Sequence, residues 1–184
     1  DAGQGVASAP DLDLAGRPVL AWSVRLGVLI SFVGMTVAYL MTSGPTPGQL
    51  AAMQAGEPLS RIGAHGVGVE DGGPGLPLLG WSTTGGDLRI GHFVGLHAMQ
   101  VLPLLGFALT RASAVRRWSR RGRTQLAVIA GISYLALTVL VTWQALRGQS
   151  VVAPDGLTLL AAAVGAGIAL ALAAAVLWVE PVKA

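Results

Sequence analysis

Residues 157–179 read LTLLAAAVGAGIALALAAAVLWV, with no charged side chain and with Thr158 as the only hydroxyl. A helix over this stretch rises about 1.5 Å per residue and exceeds the roughly 30 Å of a bilayer's hydrocarbon core. An aqueous fold of this size has no means of covering so long an apolar rod. The rest of the chain is similar in kind: of 184 residues 53% are hydrophobic and 11% charged, where soluble domains carry about 25% charge. Working outward, three further apolar runs appear at 19–41 (VLAWSVRLGVLISFVGMTVAYLM), 90–109 (IGHFVGLHAMQVLPLLGFAL) and 126–146 (LAVIAGISYLALTVLVTWQAL). The sequence therefore predicts an all-α integral membrane protein: four transmembrane helices within a membrane domain of residues 19–179, a lead segment 1–18 and a tail 180–184.

The connections give the topology. Arg111, Arg116, Arg117, Arg120, Arg121 and Arg123 crowd the short loop 110–125, and short loops rich in Arg and Lys stay on the cytoplasmic side. Alternation then makes both termini cytoplasmic, in keeping with Arg17, Arg25 and Lys183, and makes the long Gly/Pro-rich loop 42–89 extracytoplasmic. The location expected is a bacterial inner (plasma) membrane. The net charge of +3 is thus a topology signal with anionic headgroups within reach, and no nucleic-acid partner is expected. There is no cysteine, which excludes disulfides and thiolate chemistry.

A loop longer than about 15 residues is functional or disordered as a rule. Thr46-Pro47 followed by GQLAAMQA and Gly56 carries helix punctuation, predicting a short surface helix over 47–55. Beyond it, Leu76, Leu78, Leu79 and Trp81 interrupt a Gly-rich run, the composition of an apolar cap folded onto helix ends. In the fourth span, Ala163, Gly167 and Ala171 recur every fourth residue, as do Ala161, Gly165 and Ala169, a spacing that lets helices approach closely. Such a face belongs either to the chain's own bundle or to a neighbouring subunit.

The second span holds most of the polar residues. Asp87 precedes it as a capping acid, and Arg89 either snorkels to headgroups or pairs with an acid of the loop. His92 and His97 lie five residues apart, about 140° around a helix, so they do not clamp one metal from the same face. His97 and Gln100 share a face. Two readings stand for them: a structural one, hydrogen bonding to Thr138, Thr142, Gln144, Thr36 or Tyr39, and a ligand-binding one, in which His92, His97, Gln100 and His65 from the loop line an outward-opening pocket. Pro103 frees the carbonyl of Met99 beside them.

A histidine in such a pocket offers an axial ligand to haem or another porphyrin, and copper through His with Met35, Met41 or Met99 is chemically reasonable. No motif for a catalytic triad, nucleophile elbow or phosphate-cradling loop is present: Ser82, Thr83 and Thr84 lack the spacing, and Glu70-Asp71 is an adjacent loop pair. Catalytic residues are therefore not assigned.

The stretch AHGVGVEDGGPGLPLLGWSTTGGDLRIGHFVGLHAMQVLPLL, from about His65 to Leu105, resembles a segment of multi-pass membrane proteins of high-GC bacteria, a family with no assigned activity. The resemblance implies a polytopic membrane protein, with further spans upstream in longer relatives and this chain as the C-terminal part. It carries over no catalytic residue. The function expected is a non-enzymatic membrane subunit or scaffold with an outward-facing polar pocket. The rival readings are a porphyrin-binding redox subunit and a small-solute or proton-linked carrier titrating at His97. The partners expected are the lipid bilayer and other subunits through Ala163, Gly167 and Ala171.

Overall fold

The structure, a computed structural model, describes residues 16–59, 62–111 and 118–179. The lead segment before residue 16, Arg61, Arg116 and Arg117, and the tail 180–184 lie outside the described residues. The elements are α1 (Pro18–Thr42), α2 (Pro47–Gln54), β1 (Gly66–Val67), β2 (Gly86–Asp87), α3 (Leu88–Arg111), α4 (Arg120–Leu146) and α5 (Gly156–Val179). The chain is mostly helical, and α1, α3, α4 and α5 are each long and apolar enough to cross a membrane. Mean hydropathy is lowest in α3, at 1.6, and highest in α5, at 2.4, so α3 carries the heaviest polar load. Among the described residues, a two-residue antiparallel ladder of β1 and β2 departs from an all-α chain, pairing Gly66 with Asp87 and Val67 with Gly86, and a single antiparallel bridge joins Gly75 to Ser82.

Local chemistry sets the helix ends. Pro18 opens α1 and Pro47 opens α2, where a missing N–H costs nothing. Thr46 and Gln49 form a reciprocal capping box at α2. Ser119 accepts from Gly122 N at 3.0 Å to start α4. Asp155 accepts from Thr158 N at 2.8 Å to start α5, and Arg147, stacked on Trp143, bonds back to Asp155 across the turn. That bond and the Thr158 amide hold the Asp155 carboxyl below its ordinary value.

Helices α1, α3 and α4 form the core. Ile30, Ala98 and Leu102 are buried together, flanked by Leu26, Tyr134 and Leu135. The closest approach is between α1 and α3: a Cβ built on Gly34 would lie 2.9 Å from the Gly95 carbonyl carbon, and one on Gly27 would lie 2.9 Å from the Ala98 carbonyl oxygen. With no side chains between them the backbones meet directly, and Ser31 Oγ donates to Leu96 O at 3.2 Å. On the other flank of α3, Tyr134 of α4 donates to Val94 O at 2.9 Å.

Helix α5 packs chiefly on α4. Thr158 is its one buried residue, and a Cβ on Gly165 or Gly167 would meet nothing within 4 Å. Of the two uses expected for Ala163, Gly167 and Ala171, tight packing in the chain's own bundle is therefore removed. Gly27 and Gly34 on α1, with Gly95 on α3, supply the close contact instead, while Gly91 on α3 faces Thr142 of α4.

The loop folds back on the helix ends. Gln49 clamps the Gly63 peptide from both sides, its Nε2 donating to Gly63 O and its Oε1 accepting from Gly63 N, both at 3.0 Å. Ala64 N donates to Met41 O at the end of α1. Gln49→Ala removes both clamp bonds and half the capping box, and net hydrogen bonds are worth about 1 kcal/mol each. Hydrogen exchange should show the Gly63 amide losing protection by about fivefold or more, with the melting temperature nearly unchanged because α2 has no buried residue. Unchanged protection would mean that another contact holds this peptide.

Candidate functional site

The site is built where the loop meets the start of α3. The β1–β2 ladder returns the chain to the bundle, and Leu88 N donates to His65 O at 2.9 Å, so a loop histidine sits beside the first turn of the helix. Gly86 is pressed against the Ala145 carbonyl of α4, leaving no space for a side chain. Ser150 Oγ, from the α4–α5 turn, donates to Ser82 O at 2.9 Å, and Gln144 donates to Ser150 O at 2.8 Å. Loop, α3 and α4 are thereby tied at one point.

Asp87 is the hub. Its side chain is fully buried, and its oxygens accept from Ser82 N at 2.9 Å, Arg89 N at 3.0 Å, Arg89 Nε at 3.0 Å and Arg89 Nη2 at 2.6 Å. The Arg89 N–H bond is that of a helix cap, and the guanidinium makes the fork-on-carboxylate pair that Arg geometry favours. Arg89 also donates to Gly80 O at 2.6 Å, so it reaches back to the loop instead of out to headgroups. Burial by itself would raise the Asp87 carboxyl, but the Arg89 side chain and the Ser82 and Arg89 amides outweigh it and hold the group below its ordinary value.

His65 sits at the edge of this knot. Its Nδ1 lies 3.4 Å from Asp71 Oδ1 and 3.6 Å from Asp87 Oδ1, with hydrogen-bond geometry to neither. Asp71 in turn accepts from the backbone N–H of His65 and of Gly66, at 3.3 and 2.8 Å. By sequence Asp71 is only a loop acid adjacent to Glu70. What hides its role is that the turn bringing it back onto His65 is specified by glycines rather than by any polar pattern. With Asp87 enclosed and its oxygens occupied by donors, the knot is a lock on the loop and offers no face to a substrate.

The membrane-helix histidines point in different directions. His92 Nδ1 lies 2.9 Å from Gly34 O, so its ring bridges α3 to α1. His97 is on the outer surface of the bundle: it is exposed, and its Nδ1 lies 2.8 Å from Phe93 O on its own helix. Gln100 is exposed beside it and, with its amide turned as its neighbours require, donates to Leu96 O at 3.0 Å and His97 O at 3.2 Å. The threonine hydroxyls that the structural reading offered as partners are engaged elsewhere: Thr138 donates to Tyr134 O, Thr142 to Thr138 O and Thr36 to Val33 O. His97 and Gln100 therefore share a face, but it turns away from α1 and α4. His65 and His92 are not brought to it by any contact.

A backbone carbonyl only accepts, so the proton of neutral His97 is on Nδ1 and Nε2 presents a lone pair outward. With its NH2 committed to carbonyls, Gln100 presents Oε1. The result is two acceptors one helical turn apart, roughly 14 Å along α3 from its first residue. Above them the aromatic rings continue the stripe: Phe93 stacks on His97 at 4.0 Å between centroids, and Trp81 from the loop meets Phe93 edge-on at 5.6 Å. Among the described residues, no three His, Cys, Asp or Glu side chains gather as a metal site. No protein-family model, curated protein or solved structure matches this chain.

Proposed function

We propose that the chain is a non-enzymatic subunit of a membrane assembly. The four long helices span the bilayer, the 42–89 loop lies outside, and the arginine-rich end lies in the cytoplasm. The stripe of Phe93, His97 and Gln100 receives a hydrogen-bond donor carried by a partner's transmembrane segment. The observation that carries this reading is the imidazole and amide on the outer surface of an apolar helix. Polar side chains at that depth are costly against lipid and normally turn to a partner, and interhelical hydrogen bonds of this type contribute about 0.6 to 2 kcal/mol. Two acceptors side by side call for a donor, such as a hydroxyl, indole N–H or amide.

The test is native mass spectrometry after mild detergent extraction from the native membrane. The expected result is one partner polypeptide in fixed ratio, lost from His97→Leu/Gln100→Leu and retained by Arg25→Gln, with unchanged melting of the free chain, since neither side chain bonds to another helix. A solitary monomer overturns the reading, as does a partner that survives the double substitution.

A second reading has one observation in its favour. The carbonyl-held Nδ1 leaves Nε2 oriented as an axial ligand to the metal of a porphyrin requires. A Soret band in the purified protein that disappears in His97→Ala would support it, and a spectrum without one would remove it. A carrier titrating at His97 lacks comparable support, because a transport path runs through a bundle and this ring lies on its outside.

A further inference from the structure

At the end of the bundle opposite the loop, the start of α1, the end of α3 and the start of α4 enclose an open cavity of about 280 Å³. Among the described residues its walls carry four guanidinium groups, those of Arg17, Arg111, Arg120 and Arg123, and no carboxylate. None of the four is paired with an acid among the described residues. Arg111 is held over the Phe107 ring at 5.0 Å, and Arg123 reaches Leu109 O and Ser119 O at 3.4 and 3.5 Å. These two are positioned by the fold, while the guanidinium groups of Arg17 and Arg120 make no hydrogen bond among the described residues.

We infer that this cavity is a binding site for the phosphate group of an anionic phospholipid. Four like charges drawn from three separate helices repel one another in a shared space, and an anion seated among them reverses the sign of that interaction. Guanidinium forks match the oxygens of a phosphate, which several of them contact at once. The backbone adds to the field. No side chain caps α1, and its first-turn residues Val19 and Leu20 are part of the cavity wall, so amides that lack an intrahelical acceptor lie beside the arginines, at the positive end of the helix.

Position favours a lipid over a soluble phosphate. The cavity lies at the ends of helices that cross the hydrocarbon core, where headgroups sit. Apart from Thr110, its remaining wall is apolar, and Leu20 and Phe107 lead onto the outer surfaces of α1 and α3 where acyl chains would run. This inference rests on membrane embedding alone and is independent of the partner proposed for α3.

The protein is reconstituted in nanodiscs of phosphatidylcholine with phosphatidylglycerol, and co-purifying lipid is read by native mass spectrometry. The expected result is retention of phosphatidylglycerol over phosphatidylcholine. Arg17→Gln/Arg120→Gln should lower that preference about tenfold, in line with loss of charge-assisted bonds. Arg25→Gln, on α1 but outside the cavity, should keep it. Inorganic phosphate added in excess should not displace the lipid. Equal retention of the two lipids by the unaltered protein overturns the inference without recourse to any variant, as does a double variant with undiminished preference. Displacement by inorganic phosphate overturns the lipid assignment.

Discussion

Gly95→Val should be the most damaging single substitution in the membrane helices, lowering stability by about 3 kcal/mol. A Cβ at Gly95 would lie 2.6 Å from Gly34 Cα and 2.9 Å from Gly34 N. Both are backbone atoms of α1, which no rotamer change moves aside, so the helices must separate. Separation then costs more than one contact, because the same crossing carries the Ser31 bond to Leu96 O and the His92 bond to Gly34 O. Gly95→Ala brings the same Cβ against the same backbone atoms without the two further methyls and should be milder, near ~2 kcal/mol, because alanine's better helix propensity offsets about 1 kcal/mol of the strain. Gly167→Ala is the internal control: nothing lies within 4 Å of its Cβ, and the same chemical change should be neutral or stabilising by up to about 1 kcal/mol. Thermal melting in detergent micelles checks all three. Equal behaviour of Gly95→Val and Gly167→Ala would show that the α1–α3 crossing is not tight.

The contrast between these glycines shows what sequence can resolve in such a chain. The helices were legible because a run of about twenty apolar residues matches the thickness of a bilayer and is too long for the core of a small soluble domain. Their pairing was less so. The small-residue rows of the fourth span are the more regular pattern, yet the close contacts are made by Gly27 and Gly34 of α1 against Ala98 and Gly95 of α3, and by Gly91 of α3 against Thr142 of α4. Gly91 and Gly95 do stand four apart in GHFVG, the same signal in a shorter form, and the fourth span is left to pack on α4 from the outside.

The polar pair shows the same limit. Three-residue spacing put His97 and Gln100 on one face, but which way that face turns depends on where α1 and α4 lie. In a bilayer the polar side of a helix does not by itself face solvent, so the pattern along α3 leaves that direction open. The capping acid at Asp87 was readable from its place before an apolar run. Its partners Ser82 and Arg89, and the approach of His65 and Asp71, depend on the two-residue ladder, which is too short to leave a periodic trace.

Asp87→Asn should release the loop. Breaking a buried ion pair from one side costs about 3–5 kcal/mol, but Arg89 is one-third exposed and turns partly to water, so about 2 kcal/mol is the expected loss. The neutral amide also presents an NH2 to a pocket whose other members, Ser82 N–H and the guanidinium, are themselves donors. The loss should appear first as faster hydrogen exchange at Ser82 and loosening of the Trp81–Phe93 contact, before global melting. Arg89→Lys keeps the charge but not the fork and its bond to Gly80 O, and should fall between the two. The pH dependence has a definite sign. A carboxyl held in the fold below its ordinary value of 3.8 adds stability that is complete above that value and is lost as pH falls through the lower, folded one. Unaltered protein should therefore destabilise below about pH 4, and the Asn variant should lose that part of the acid limb. The difference between the two melting curves isolates the contribution of Asp87. An acid limb of the same depth in the Asn variant would assign the linkage to another depressed carboxyl, with Asp155 beside Arg147 the first to examine.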